Sequence, residues 1–153
     1  SGNYHDPLSE EILLEILNKL TEHPEAYILV ISRTEKDRAF LKEHFKEGIN
    51  FLEEVVDGLQ LIWNSDLFIS GGGSMNRESA LLGVPTYSIF TGRRPYLDEY
   101  LQRQGRMSFI DSPDKIDRLK VSKREIEPQF ESENTGLVEK VVDIILSLEQ
   151  NKA

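Results

Sequence analysis

The chain has 153 residues, of which 39% are hydrophobic and 29% are charged, and these values predict one compact domain covering residues 1–153. Its net charge of −9 argues against broad binding of nucleic acid or anionic membranes. The sequence has no cysteine, which excludes disulfides, thiol nucleophiles and zinc ribbons. No apolar run approaches the roughly 20 residues of a membrane-spanning helix and no signal peptide is visible, so the cytoplasm is the expected compartment.

Hydrophobic spacing, taken in chain order, predicts helices that alternate with short strands. The predicted helices cover residues 7–21, 34–45, 58–64, 74–82, 95–104 and 137–148. The predicted strands cover residues 27–31, 49–52, 67–70, 86–90 and 107–110, and residues 122–135 are expected to be irregular. This alternation predicts an α/β fold with a doubly wound, mostly parallel Rossmann-like sheet and helices on both faces. The segments that follow the strands should then line one edge of the sheet.

Three consecutive glycines, Gly71, Gly72 and Gly73, separate a predicted buried strand from a helix that opens at Ser74. Backbone N–H groups at such a junction can approach an anion, and the helix dipole favours negative charge, so we predict a phosphate-binding loop. It is not a P-loop, because no Lys-Ser or Lys-Thr pair follows, and Asn76 stands where the dinucleotide fingerprint needs its third glycine. The structural alternative is a tight turn that packs against a neighbouring helix.

Four further side chains fall near this edge of the predicted sheet. Glu78, like Asn76, lies in the first turns of the helix, where a carboxylate could accept hydrogen bonds from both hydroxyls of a ribose. The alternative is an acidic residue that only complements the helix dipole. Arg93 and Arg94 follow one strand and Arg33 follows another, so a guanidinium could neutralise a diphosphate, unless these residues are simple surface charge. No spacing suggests a metal site, and no catalytic residue can be assigned.

The segment from Asp66 to Pro85 resembles the C-terminal nucleotide-binding half of GT-B-type glycosyltransferases and UDP-N-acetylglucosamine 2-epimerases, and the likeness is greatest to the DUF354 family. The pattern of that family, Gly-Gly-(Ser/Thr)-Met-Asn-Arg-Glu-x-Ala-Leu-Leu-Gly-x-Pro, stands at residues 72–85. It is followed by a strand, by Gly92 and by Asp98-Glu-Tyr-Leu101. The motifs Asn3-Tyr4-His5 and Ser32-Arg33-Thr34 also resemble those of the family.

The resemblance implies that the ligand is UDP or another nucleotide-sugar, bound as a substrate and without a separate cofactor. It implies that Gly72, Gly73 and Ser74 lie near the phosphates and that Glu78 lies near the ribose. Arg94-Pro95 is similar to an Arg-Pro motif of the epimerases, but Tyr96 replaces the acidic residue beside it. This resemblance does not distinguish an enzyme that transfers a sugar to an acceptor from one that epimerises the sugar.

The same resemblance implies that the chain is a fragment, which begins after the first strand of its domain and lacks an N-terminal partner domain of the same protein. The isolated chain is therefore expected to bind the nucleotide-sugar but not to catalyse its reaction. Without that strand, the predicted strands at 27–31 and 67–70 must pair directly or leave open edges, and open edges favour self-association. An alternative function from a different class is a protein-interaction or regulatory module, in which the glycines are structural and nucleotides are not bound.

Overall fold

A computed structural model describes residues 7–32, 34–53 and 57–124 of the chain. These residues divide into two compact units, one with residues 14–32 and 34–53 and the other with residues 7–13 and 57–124. The first helix contributes to both units. The expectation of a single domain stays a prediction.

The smaller unit contains two short parallel strands and the helix between them. Its elements are the C-terminal part of α1 (Pro7–Thr21), β1 (Leu29–Val30), α2 (Glu35–His44) and β2 (Asn50–Phe51). Leu29 lies opposite Asn50 in the ladder. Helix α2 begins where Thr34 accepts a hydrogen bond from the N–H of Asp37 at 3.1 Å, as expected of an N-cap residue.

The larger unit carries a three-stranded parallel sheet. Its elements after the start of α1 are α3 (Gly58–Trp63), β3 (Phe68–Ser70), α4 (Ser74–Leu82), β4 (Thr86–Ser88), α5 (Tyr96–Arg103), β5 (Ser108–Phe109) and a 3-10 helix (Pro113–Arg118). The strand order is β3-β4-β5, and the central strand β4 is buried throughout. Ala80, Leu97, Leu101, Met107 and Phe109 form one buried apolar cluster that joins α4, α5 and β5. A second cluster, Ile62, Trp63, Leu82 and Val84, joins α3 to α4.

Residues 119–124 fold back onto the junction between α3 and β3. The N–H of Arg124 donates to Asp66 at 2.9 Å, and its Nε donates to the carbonyl of Ser65 at 2.8 Å. The guanidinium also bonds the carbonyl of Trp63 and lies 5.1 Å from the centre of the indole. Arg124 therefore supplies donors to carbonyls that the end of a short helix leaves unpaired.

The alternation of helices with parallel strands confirms the predicted α/β, Rossmann-like class. The strands are shorter than predicted, and the outer residues of one predicted strand are exposed. Tyr27 and Ile31 flank β1 and are 76% and 50% exposed. The 3-10 helix at 113–118 was not anticipated, and the predicted helix at 137–148 lies outside the described residues.

Each sheet of the described residues has two edge strands, β1 and β2 in the smaller unit and β3 and β5 in the larger one. Strand β1 pairs only with β2, and β3 pairs only with β4. The other side of β1 and of β3 therefore pairs with no strand of the described residues. Self-association through such edges stays a prediction. None of the helices in the described ranges is both long and apolar enough to cross a membrane.

Candidate functional site

The glycine loop, residues 71–73, connects β3 to α4 at the carboxyl edge of the larger sheet. Gly72 and Gly73 have φ angles of +114° and +101°, a region that side chains other than glycine rarely adopt. A Cβ atom built on Gly73 would meet no other atom within 4 Å. The loop thus needs glycine for its backbone conformation and borders open space at Gly73.

The start of α4 has no side-chain cap. The N-cap residue is Gly73, and no side chain within residues 7–32, 34–53 and 57–124 caps the first turn of the helix. Ser74, the first helical residue, is exposed. The first N–H groups of a helix have no partner within the helix, and they carry the positive end of its dipole. This end of α4 is therefore suited to an anion that supplies the missing acceptors.

Asn76, in the first turn of α4, has a polar atom without a partner. Its side chain is fully buried, and its Nδ2 donates to the carbonyl of Ser70 at 3.4 Å. Its Oδ1 is buried and accepts no hydrogen bond from any described residue. An unpaired buried acceptor costs about 1–3 kcal/mol, and none of the described residues supplies the donor that would offset this cost.

Glu78 presents a half-buried carboxylate two residues further along α4. No hydrogen bond joins this carboxylate to a residue in the described ranges, and burial raises the pKa of Glu78 above its ordinary value. Carboxylate oxygens accept hydrogen bonds from hydroxyl groups. Glu78 therefore has its acceptor capacity free beside the open start of the helix.

The turn from Thr91 to Pro95, which joins β4 to α5, is held at several points. The hydroxyls of Thr91 and Ser9 share a hydrogen bond of 3.2 Å. The Phe90 ring lies against Gly92 so closely that a Cβ there would be 2.7 Å from Cζ, while the Cβ of Phe90 lies 3.7 Å from the position of a Cβ on Gly72. Phe90 thus stands between the glycine loop and this turn.

The Arg94 guanidinium makes its contacts within the protein. Its Nη2 donates to Asp111 at 2.8 Å and its Nη1 to Gln102 at 3.1 Å, and its guanidinium lies 3.9 Å from the centre of the Phe109 ring. Asp111 also accepts a hydrogen bond from Lys115 at 2.6 Å. Burial by itself would raise the pKa of Asp111, but the hydrogen bonds from Lys115 and Arg94 outweigh it and hold the pKa below its ordinary value. Arg94 therefore fixes the turn to the end of β5.

Arg93, by contrast, is exposed, and its guanidinium makes no ion pair or hydrogen bond with the residues that the structure describes. Because β3 and β4 are adjacent and parallel, the segments that follow them reach the same edge of the sheet. Arg93 therefore places an exposed guanidinium in the turn at this edge of the sheet.

Arg77 and Asp98 form a buried ion pair between α4 and α5. The Nε of Arg77 lies 2.8 Å from the Oδ1 of Asp98, and the side chains are 18% and 2% exposed. The sequence analysis did not identify this pair, nor the position of Phe90 between the two turns. The signal available for Asp98 is its place in the Asp-x-Tyr-Leu motif at residues 98–101, which indicates a family resemblance and not a contact with Arg77.

The structure thus gathers most of the predicted site residues at one edge of the larger sheet. These are Gly71, Gly72, Gly73, Ser74, Asn76, Glu78, Arg93 and Arg94, of which Arg94 is already bonded to Asp111. Arg33 lies outside the described residues. Within the described ranges, no three His, Asp or Glu side chains converge as metal ligands.

Comparison with known proteins gives a family but no activity. The family described as a protein of unknown function, DUF354, matches residues 1–153. A protein of Methanocaldococcus jannaschii, named uncharacterized protein MJ0665, is 37% identical over 100 residues, which are 64% of this chain and 28% of that relative. The chain thus matches less than a third of the relative's length. No solved structure matches at a significant level. The chain belongs to the DUF354 family.

Proposed function

We propose that the larger unit binds a nucleoside diphosphate sugar at the carboxyl edge of β3 and β4. The observation that carries this proposal is the uncapped start of α4, where Gly73 borders open space. Phosphate groups supply the acceptors that such a helix start lacks, and the helix dipole favours their charge.

The surrounding side chains extend the proposal to the rest of the ligand. The Glu78 carboxylate has no hydrogen-bond partner among the described residues and would accept hydrogen bonds from the two hydroxyls of the ribose. Arg93 would neutralise part of the diphosphate charge through its planar guanidinium. These local positive groups allow a protein with a net charge of −9 to bind an anion, because interactions between exposed charges are screened beyond about 10 Å at moderate salt.

As a larger role, we propose that this chain is the nucleotide-binding half of a GT-B-like glycosyltransferase or a UDP-sugar 2-epimerase. Support comes from the sequence pattern at residues 72–85 and from the match to only 28% of the relative's length. The reaction would then require residues beyond this chain, and we expect the isolated chain to bind without turnover.

Calorimetric titration with UDP and with inorganic pyrophosphate tests the proposal. We expect the chain to bind both, and Glu78→Gln to weaken the binding of UDP about tenfold, because a neutral amide is a weaker acceptor than a carboxylate. Pyrophosphate has no ribose, so its affinity should be the same in both proteins. Glu99→Gln is the matched control, since Glu99 is an exposed carboxylate in the first turn of α5.

Lowering the pH gives an independent check on Glu78. Because burial raises its pKa, the group takes up a proton at a higher pH than an ordinary glutamate, and UDP binding should weaken there in the wild type more than in Glu78→Gln.

If a folded chain binds neither UDP nor pyrophosphate, the proposal fails and the protein-interaction module with structural glycines becomes the better hypothesis.

A further inference from the structure

We propose that the buried ion pair of Arg77 and Asp98 is a positioning pair, which sets the distance between the glycine loop and the turn that carries Arg93. The inference rests on the proposed function, because it assigns both segments to one ligand. Neither Arg77 nor Asp98 is expected to contact the ligand. They would act through the segments that they join.

The positions of the two residues in the sequence give the first argument. Arg77 lies between Asn76 and Glu78 in α4, and Asp98 lies in the first turn of α5, which begins directly after Pro95. A bond of 2.8 Å between their side chains therefore connects the helix that follows the glycine loop to the helix that follows the Arg93 turn. It is a short connection between the two segments proposed to hold the ligand.

The chemistry of the contact gives the second argument. The apolar side chains of Ala80, Leu97 and Leu101 also join α4 to α5, but hydrophobic contact is not directional and does not by itself fix how far one helix slides along the other. A charge-assisted hydrogen bond between a guanidinium and a carboxylate fixes distance and orientation. The ion pair can thus determine the relative placement of the two helix starts.

The burial of the pair gives the third argument. The Asp98 side chain is only 2% exposed, and a buried ion pair is seldom more stabilising than apolar residues of similar size. Arg77→Met together with Asp98→Leu would replace charge with apolar volume at both positions. This double variant separates positioning from stability, because it removes the directional bond without leaving one buried charge unpaired.

The experiment compares the wild type, Asp98→Asn and the double variant, with UDP as the probe and urea unfolding as the measure of stability. We expect Asp98→Asn to unfold at lower urea, since the partly buried guanidinium of Arg77 then loses the charge of the Asp98 carboxylate. We expect the double variant to keep nearly the wild-type unfolding midpoint and yet to bind UDP about tenfold more weakly or worse. Wild-type affinity in a double variant of wild-type stability would overturn the proposal.

A second measurement does not depend on ligand binding. The chain has no cysteine, so spin labels can be attached to Ser74→Cys and Glu99→Cys, both of which are exposed positions at the starts of α4 and α5. In the ligand-free protein we expect a single narrow distance, which broadens or shifts in the double variant. An unchanged distance would overturn the positioning role. Failure of the wild type to bind UDP would instead refute the proposed function, and the label distances would still decide whether the ion pair positions the two helices.

Discussion

The neighbouring helices α3 and α4 begin in opposite ways. At the start of α3, the Asp57 carboxylate accepts hydrogen bonds from the N–H groups of Leu59 and Gln60 at 3.0 and 3.3 Å. At the start of α4, Gly73 has no side chain to offer, and no side chain of the described residues takes its place. Both helices need acceptors for their first N–H groups. In α3 the Asp57 side chain supplies them, whereas at α4 the described residues supply no side-chain acceptor.

A similar contrast separates the adjacent residues Arg93 and Arg94. Arg94 is bonded to Asp111 and Gln102 and packs on a buried ring, while Arg93 is exposed. Arg94 serves the fold, whereas Arg93 has no ion-pair or hydrogen-bond partner among the described residues. Polar groups without a partner in the described part of the chain therefore occur in both of the segments that meet at this edge of the sheet.

The largest effect on binding is expected from Gly73→Ala. At φ +101° and ψ −172°, a side chain introduces strain of about 1–3 kcal/mol, and relaxation of the loop would turn the amides away from the ligand. We expect affinity for UDP to fall more than about tenfold in calorimetry.

Gly83→Ala is the matched control, because Gly83 also has a positive φ of +85° and also borders open space, but it lies at the other end of α4. It should lose about 1–2 kcal/mol of stability, because a side chain is disfavoured in the left-handed conformation, and keep its affinity. Equal losses of affinity in both variants would show that strain alone explains the result at Gly73.

Replacing Arg93 or Arg94 singly with alanine should have smaller effects, on binding in one variant and on stability in the other. Arg93→Ala is expected to weaken pyrophosphate binding by about 1 kcal/mol without changing urea unfolding. Arg94→Ala is expected to lower the free energy of unfolding by about 1 kcal/mol, through loss of the partly exposed ion pair and of the contact with the Phe109 ring. If Arg94→Ala is fully stable and Arg93→Ala binds normally, the assignment of the two roles is wrong.

The smallest effect on binding is expected from Asp57→Ala, which removes the cap of α3. The loss of an N-cap costs about 1 kcal/mol of stability, which urea unfolding would measure, and affinity for UDP should be unchanged. A loss of affinity comparable to that of Gly73→Ala would mean that the difference between the two helix starts has no bearing on the ligand.

The parts of the fold that local sequence determines were predictable. Helices α1 and α4 occur at the predicted bounds of 7–21 and 74–82, because apolar spacing defines both helices and Gly83 closes α4. The ends of the strands were not predictable, since a strand ends where its neighbour no longer pairs with it, and the neighbour is distant in sequence. Strand β1, for example, is limited to Leu29–Val30.

The candidate site likewise has parts that the local sequence predicts and parts that it does not. The glycine loop and the start of α4 follow from a run of adjacent residues, and they were predicted. The bond between Arg77 and Asp98 joins positions 21 apart, and the contacts of Phe90 with Gly72 and Gly92 depend on how the β4–α5 turn folds back. Tertiary packing creates both of these, so no local pattern could have indicated them.

Arg124 has a consequence for the order in which the larger unit is completed during translation. Its partners Trp63, Ser65 and Asp66 precede it by 61, 59 and 58 positions. A chain emerging from the ribosome therefore exposes α3 and β3 well before the residue that holds their junction is synthesised. Contacts of such long sequence separation form late and slow folding, so the entry to β3 should be among the last parts of this unit to become fixed.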